Sequence, residues 1–345
     1  MSRGSECRLT FFPHLGDKPS SLEPNMPEPL LTEDRKRRSL FPVQYPRLFE
    51  SYRKARALFW TPGEVDLTGD TKDWNEKLND DDRHFLSLVL AFFAVSDSIV
   101  NENLAENFSR EVKVYEAKLF YNFQMAIEDI HAETYSTLIE TYIGDAGERA
   151  RLTEAIENFP CIKKKTDWAE QWISSNRGFA ERLVAFAVVE GVFFSGSFCA
   201  IFWIKRRGLM PGLSHANQLI SRDEGMHQEF ATMLYGMLEN KLSDETIYAI
   251  VDSAVAVEIE FCTEALPVDL IGMNSRHMAE YIRYVADRLL KQLNVPKKYN
   301  ASNPFPFMEQ QSLEGKTNFF ERRVGEYRKV GAENAVGAFT MDASF

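Results

Sequence analysis

Residues 183–204 read LVAFAVVEGVFFSGSFCAIFWI, 22 residues with a single charge, Glu190. On length alone the stretch is a membrane-span candidate, since a spanning helix needs about 20 apolar residues. A carboxylate near the centre of an isolated span is costly, and no other segment of the chain reads as similarly apolar. A helix that is apolar on every side also suits the buried centre of a large soluble bundle. The buried reading accounts for the sequence better, and it turns Glu190 into a requirement: an ionised carboxylate is not buried there without partners.

The rest of the chain supports a bundle. Seven of the 14 prolines lie in residues 1–46, and only Pro160, Pro211 and Pro267 fall between residues 63 and 295. Proline removes a donor and clashes with the preceding turn, so the proline-poor intervals are where long helices fit. Helices are expected over 80–107, opened by the acidic cap Asn79-Asp80-Asp81-Asp82, and over 110–142, with Gly144 as a stop. Shorter ones are expected near 147–158 and 163–175, then longer ones at 179–206, 212–240, 243–265 and 274–293. Strand alternation and hairpin dipeptides are missing, so the fold class is all-α. Three regions are expected: a flexible arm over 1–35, a helical domain over 36–330 and a flexible tail over 331–345. The run Arg35-Lys36-Arg37-Arg38 reads as a solvated charge cluster in preference to a nuclear signal.

The 345 residues carry 40 Lys and Arg against 51 Asp and Glu, a net charge of −11. That balance leaves no basic footprint for nucleic acid or for a membrane surface. Four scattered cysteines without a CxxC pair suggest reduced thiols, and the first 19 residues lack a signal peptide's apolar core. A cytoplasmic protein is expected.

Two of the helices carry Glu-x-x-His, as Glu128-Asp129-Ile130-His131 and Glu224-Gly225-Met226-His227. A spacing of three puts each Glu and His on one helical face, close enough to share a metal. Two other helices each place one acid on an apolar stripe, Asp97 and Glu190. The order acid, Glu-x-x-His, acid, Glu-x-x-His, with intervals of 31 residues (97 to 128) and 34 (190 to 224), suggests two helix pairs about a pseudo-twofold axis. Four buried carboxylates repel one another and take up protons unless cations are present. Two divalent metals balance them, and mixed carboxylate and imidazole donors suit iron or manganese. Ferritin-like di-metal bundles use this kind of ligand set, with Asp97 here in place of a glutamate. Tyr135 follows His131 by four residues and shares its face, which makes it an oxidisable group one turn from the metals. Phe194, Phe198 and Ile220 are placed to form a dry wall around a phenoxyl radical.

On these residues the chain resembles the radical-generating small subunit of class I ribonucleotide reductase, eukaryotic type. The resemblance runs from about residue 40 to the C-terminus and includes SDSIVNENL, IEDIHAETYS, KRRGLMPGL, ISRDEGMH, EALPVDLIGMN, NPFPFME and GKTNFFERRVGEY. It implies a ferritin-like bundle with extra helices, a homodimer, and an oxo-bridged di-iron centre, manganese being the less favoured metal. It implies that reduction of dioxygen draws two electrons from the irons, one from Tyr135 and one from outside through Trp60. Trp60 in FWTPGEVDL and Asp223 in ISRDEGMH match the family's hydrogen-bonded Trp–Asp–His chain, with His131 as the histidine. Tyr327 matches a tail tyrosine that relays oxidising equivalents, and FTMDASF resembles a docking peptide with Phe339, Asp342 and Phe345 as its contacts. The radical then passes to a cysteine of a large subunit, where ribonucleoside diphosphates become deoxyribonucleotides. The absence of a phosphate-cradling glycine loop places nucleotide binding on that partner.

Two other functions use part of this pattern. A ferritin-like di-iron oxidase needs the ligands but neither Tyr135 nor a Phe-ended tail. A purely structural subunit would retain four buried acids with nothing to balance them.

Overall fold

The structure is a computed structural model and describes residues 28–32, 37, 39–173, 177–265 and 267–309. Helices account for nearly all of its regular structure, with no strand among the described residues. The longer α-helices are α1 (Pro46–Ala57), α2 (Thr68–Glu76), α3 (Asp80–Asn103), α4 (Tyr115–Tyr142), α5 (Ala146–Thr153), α6 (Pro160–Ile173), α7 (Phe179–Val188), α8 (Ser195–Arg206), α9 (Pro211–Gly236), α10 (Asp244–Glu260) and α11 (Ser275–Gln292). The long helical intervals expected from proline spacing are present, and Pro160 and Pro211 open α6 and α9. Proline is tolerated at a helix's first position because that N–H has no intrahelical partner. By the same rule Pro46, the last proline of the proline-rich residues 1–46, starts α1, which was not among the expected helices.

Local chemistry sets the helix ends. Asn79 Oδ1 accepts from the Asp82 amide at 2.8 Å while the Asp82 carboxylate reaches back to the Asn79 amide at 3.3 Å, closing a capping box at the acidic cap of α3. α4 ends at Tyr142 as expected, with Ile143 leaving in an extended conformation and Gly144 just beyond it, although Gly144 does not take the left-handed backbone of a glycine cap.

Three of the long helices contain a wide π-type turn, at Leu104–Phe108, Val189–Phe193 and Phe261–Ala265. Such turns insert a residue and re-aim side chains. The middle one carries Glu190 and divides 179–206 into α7 and α8. α3 packs on α4, α7 packs on α9, and α4 meets α9, so the four ligand-bearing segments face a common interior. α1 and α2 lie against α4 and α9, while α6, α10 and α11 close the far side around α7.

Phe179–Arg206 is long and apolar enough to cross a membrane, but 94% of its apolar window is buried inside the protein. Asp80–Glu111 passes the same test with 67% buried, which corrects the expectation that 183–204 is the single strongly apolar stretch. Both are core helices here. The basic run is corrected at one position. Arg37 donates from Nη1 and Nη2 to the two oxygens of the buried Glu116, both at 2.7 Å. It is an interior ion-pair partner, not a solvated charge.

Candidate metal centre

The six ligand candidates come together in the bundle interior, and none is more than 2% exposed. Glu128, Glu190, Glu224 and His227 offer ligand atoms within 4.8 Å of one another, as do Asp97, Glu128 and His131. Glu128 belongs to both sets. Its Oε2 lies 3.2 Å from His131 Nδ1 and its Oε1 lies 3.0 Å from His227 Nδ1. Glu224 has the same relation, with Oε1 3.0 Å from His131 Nδ1 and Oε2 3.1 Å from His227 Nδ1. Each Glu-x-x-His motif therefore shares its carboxylate with the other motif's imidazole, as the near-repeat in the sequence implies. Asp97 and Glu190 stand at the two ends.

The electrostatics show what this arrangement needs. Burial, with Glu128 and Glu224 adding repulsion, lifts the Asp97 carboxyl well above the usual carboxylate range. Burial together with Glu224 and Glu128 does the same to Glu190. Burial opposes charge on His227, yet Glu128 and Glu224 outweigh it and push its pKa up to about 10. Protons thus crowd into a site whose acids cannot all ionise and whose imidazoles would charge to balance them. Asp97 Oδ2 is also buried without a hydrogen-bond partner among the described residues. Two divalent cations would replace those protons and occupy the orphaned oxygen, so the residues present fit a di-metal centre.

Around the ligands, Gln124 Nε2 donates to Glu128 Oε1 at 3.3 Å and to Glu190 Oε1 at 3.1 Å, joining α4 to the π-type turn. Trp60 Nε1 donates to Asp223 Oδ2 at 2.7 Å, and His131 Nε2 lies 3.4 Å from the same oxygen. The Trp60 and His131 rings are near-parallel, 6.0 Å apart at 24°. Arg222 donates to the other oxygen, Oδ1, from Nε at 3.1 Å and Nη2 at 3.0 Å. Burial works against the Asp223 charge, but the His131 hydrogen bond and the Arg222 charge hold its carboxyl below the usual range. Asp223 is therefore a carboxylate held by Trp60, His131 and Arg222.

Tyr135 is buried, and burial together with the Asp97, Glu224 and Glu128 charges raises its hydroxyl well above the usual value. Its ring stacks on Phe93 at 4.8 Å and 19°, and Phe93 in turn meets Phe198 at 5.1 Å and Phe194 at 5.8 Å. Phe194 and Phe198 thus reach the tyrosine's surroundings through Phe93, and Ile220 is buried one turn before Glu224. Phe93, Gln124 and Arg222 are the residues that sequence reasoning missed. Phe93 and Gln124 each precede a ligand by four residues, and that helical register was the available signal. Tyr327, Phe339, Asp342 and Phe345 lie outside the described residues.

Comparison with known proteins agrees with this geometry. The family described as "Ribonucleotide reductase, small chain" matches residues 37–304. The "Ribonucleoside-diphosphate reductase small chain" of Nicotiana tabacum is 56% identical over 324 residues, covering 92% of this chain and 98% of its own. The small chain of Trypanosoma brucei brucei is 54% identical over 338 residues, covering 97% and 100%. Among solved structures, the ribonucleotide reductase Rnr4 homodimer of Saccharomyces cerevisiae superposes with a TM-score of 0.76 at 39% identity, covering 87% of this chain and 93% of that one. The dimanganese(II)-NrdF of Streptococcus sanguinis shares the fold, with a TM-score of 0.72 at 19% identity over 80% of this chain and 98% of that one. With its paired Glu-x-x-His motifs meeting in an all-α core, the chain is a member of the ribonucleotide reductase small chain family.

Proposed function

We propose that this chain is the radical-generating subunit of a ribonucleoside-diphosphate reductase, with Tyr135 as the radical and Trp60, Asp223 and Tyr327 in the transfer path. The observation that carries the reading is the pairing of two features on one cluster. An aromatic-walled tyrosine sits one turn from His131, and Trp60 is hydrogen-bonded to the same histidine through Asp223. A ferritin-like oxidase has no use for either, so that alternative is not favoured.

Asp97, Glu128, His131, Glu190, Glu224 and His227 would hold two metal ions, iron being the proposed pair and manganese the competing one. When bound, the metals would supply two of the electrons that reduce dioxygen and the oxidising power that takes one electron from Tyr135. The protein's residues do the rest. Tyr135 is kept neutral, with its proton on the hydroxyl, so its oxidation removes a proton together with an electron. Phe93, Phe194 and Phe198, with Ile220 completing the proposed wall, keep water and reductants from the ring. At the other edge, oxidation of Trp60 releases the proton on Nε1, and Asp223 Oδ2 at 2.7 Å is placed to take it. When Trp60 is reduced again, the proton returns along the same bond, which suits a reversible path.

The partner is a large catalytic subunit that binds the nucleotide, engaged by the tail over 331–345 through Phe339, Asp342 and Phe345. The arm proposed over 1–35 is anchored to the helical domain proposed over 36–330 near its end, where Leu30 is buried and its carbonyl oxygen accepts from the Lys113 amide at 2.8 Å. A homodimer accords with the solved yeast relative, whose structure is described as one. Cys161, Cys199 and Cys262 carry no disulfide, in keeping with a cytoplasmic setting. The test is conversion of a ribonucleoside diphosphate to its deoxy form by this chain, loaded with iron and oxygen and mixed with a family large subunit. Turnover in the wild type, lost to background in Trp60→Phe with iron content unchanged, is expected. Full turnover in Trp60→Phe would remove Trp60 from the path, and no turnover in the wild type would return the chain to the oxidase class.

A further inference from the structure

Outside the ligand cluster the described interior also holds an ion pair, buried on both sides, that the reading above does not use. Lys165 on α6 and Glu258 on α10 are 1% and 0% exposed, with Nζ 2.6 Å from Oε2. Burying such a pair costs several kcal/mol per ion before the attraction is counted, and apolar replacements of similar volume are often no less stable. Stability alone is therefore a weak reason for it.

What the pair touches is more informative. Lys165 Nζ donates to the carbonyl oxygen of Phe193 at 2.7 Å, and Glu258 Oε1 accepts from the Gly196 amide at 3.2 Å. Those two backbone groups flank Phe194, where the π-type turn carrying Glu190 gives way to α8. Ser195 Oγ adds a bond to the Val192 carbonyl at 2.7 Å. A helix break inside a dry core strands backbone donors and acceptors, and each needs a side-chain partner. Here the cation takes the carbonyl side and the anion the amide side. The fit is close: a Cβ on Gly196 would stand 2.7 Å from Glu258 Oε1 and 2.4 Å from Cys262 Sγ. The ammonium also lies 3.6 Å from the ring centre of Phe92, which is 5.9 Å from the ring of Phe194. One ion pair thus braces the turn that presents Glu190 and a ring of the Tyr135 wall.

We infer that Lys165 and Glu258 are positioning residues of the metal centre, holding the helix break after Glu190 in the shape that delivers this carboxylate to Glu224 and His227. The inference rests on the di-metal reading of the site. It follows that disturbing the brace weakens the position served by Glu190 and spares the one served by Asp97 and His131.

The test is a manganese(II) titration of the metal-free full chain, with bound metal followed by electron paramagnetic resonance and thermal unfolding recorded alongside. The variants are Lys165→Met, Glu258→Gln and the double Lys165→Met/Glu258→Gln, which leaves no buried charge alone. Asp287→Asn serves as a control, because it disturbs a buried carboxylate whose bonds are to the amides of Lys298, Tyr299 and Ala301 and not to the ligands or the turn after Glu190. Supporting groups of this kind typically affect metal affinity by about 10–100-fold. The expected result is two ions per wild-type chain. One of the two sites should weaken by roughly that factor in Lys165→Met and in the double variant. Glu258→Gln, which keeps an acceptor for Gly196, should weaken it less, and Asp287→Asn not at all. Wild-type affinity at both sites in Lys165→Met and the double variant overturns the inference, as does an equal loss in Asp287→Asn. A wild-type chain that takes up no manganese contradicts the di-metal reading itself, and this inference with it.

Discussion

Phe93 precedes Asp97 by four residues, so its ring and the carboxylate leave α3 on the same face, one toward Tyr135 and the other toward the ligand cluster. It is the ring that Tyr135 stacks on, and it touches both Phe194 and Phe198. Removing it opens the wall from the inside. Phe93→Ala is expected to cost about 3–5 kcal/mol of stability, the usual range for a buried Phe. Its radical should still form and then decay faster than in the wild type, which the loss of the resonance signal with time measures. A lifetime equal to the wild type would show that Phe93 does not shield the ring. This residue was not legible in the sequence because it is one of 26 phenylalanines, whereas each ligand stands out as a charge on an apolar stripe. Gln124 escaped for a related reason, since a neutral amide on a buried face carries no charge to explain. Trp60 and Asp223 lie 163 residues apart, and their bond became visible through a family likeness and not through spacing.

α9 brings Glu224 and His227 into the core, and its first turn is where its position is set. The Asp70 carboxylate accepts from the Gly212 and Leu213 amides at 2.7 and 2.6 Å, so α2 caps α9. A Cβ at Gly212 would stand 2.4 Å from the backbone oxygen of Asp66, which cannot swing aside as a side chain can. Gly212→Ala is therefore expected to destabilise by about 1–3 kcal/mol through overpacking. Gly225, in the same helix, has open space around its would-be Cβ. Gly225→Ala should stabilise by roughly 0.5–1 kcal/mol, the helix-interior penalty of glycine. Thermal unfolding of the two variants checks both signs, and a like sign for the pair would contradict the packing argument. At this scale the long helices were readable from proline spacing and apolar periodicity. The π-type turns were not, because one inserted residue leaves the apolar pattern of 183–204 unchanged while it redirects Glu190. α1 was hidden by a rule applied too broadly, since proline excludes helix interiors but favours first turns.

Across the whole molecule, Glu116 ties the segment ahead of α1 to α4. Besides Arg37 it accepts from the amides of Gln44 and Tyr45, at 2.8 and 3.2 Å. Burial opposes its charge, but Arg37 and these amides hold the carboxyl at about 2, below its ordinary 4.5. A carboxyl depressed on folding contributes stability above its unfolded value and loses it as the pH falls through the folded one. The tie is therefore complete above about pH 4.5 and fades toward about pH 2. Glu116→Gln should lose about 1.5–3 kcal/mol at neutral pH by removing the charge that Arg37 and the two amides face. Amide exchange at Gln44 and Tyr45 should rise in that variant at neutral pH and match the wild type near pH 2. Equal protection of these amides at neutral pH would show that the tie lies elsewhere. The central claim concerns Tyr135 and is tested by electron paramagnetic resonance on metal-free protein given ferrous iron and then oxygen, with Tyr135→Phe in parallel. The account predicts an organic radical in the wild type and none in the variant, with two irons bound and oxidised in both. Oxidised iron without a radical in either protein, or a radical that persists in Tyr135→Phe, would contradict it.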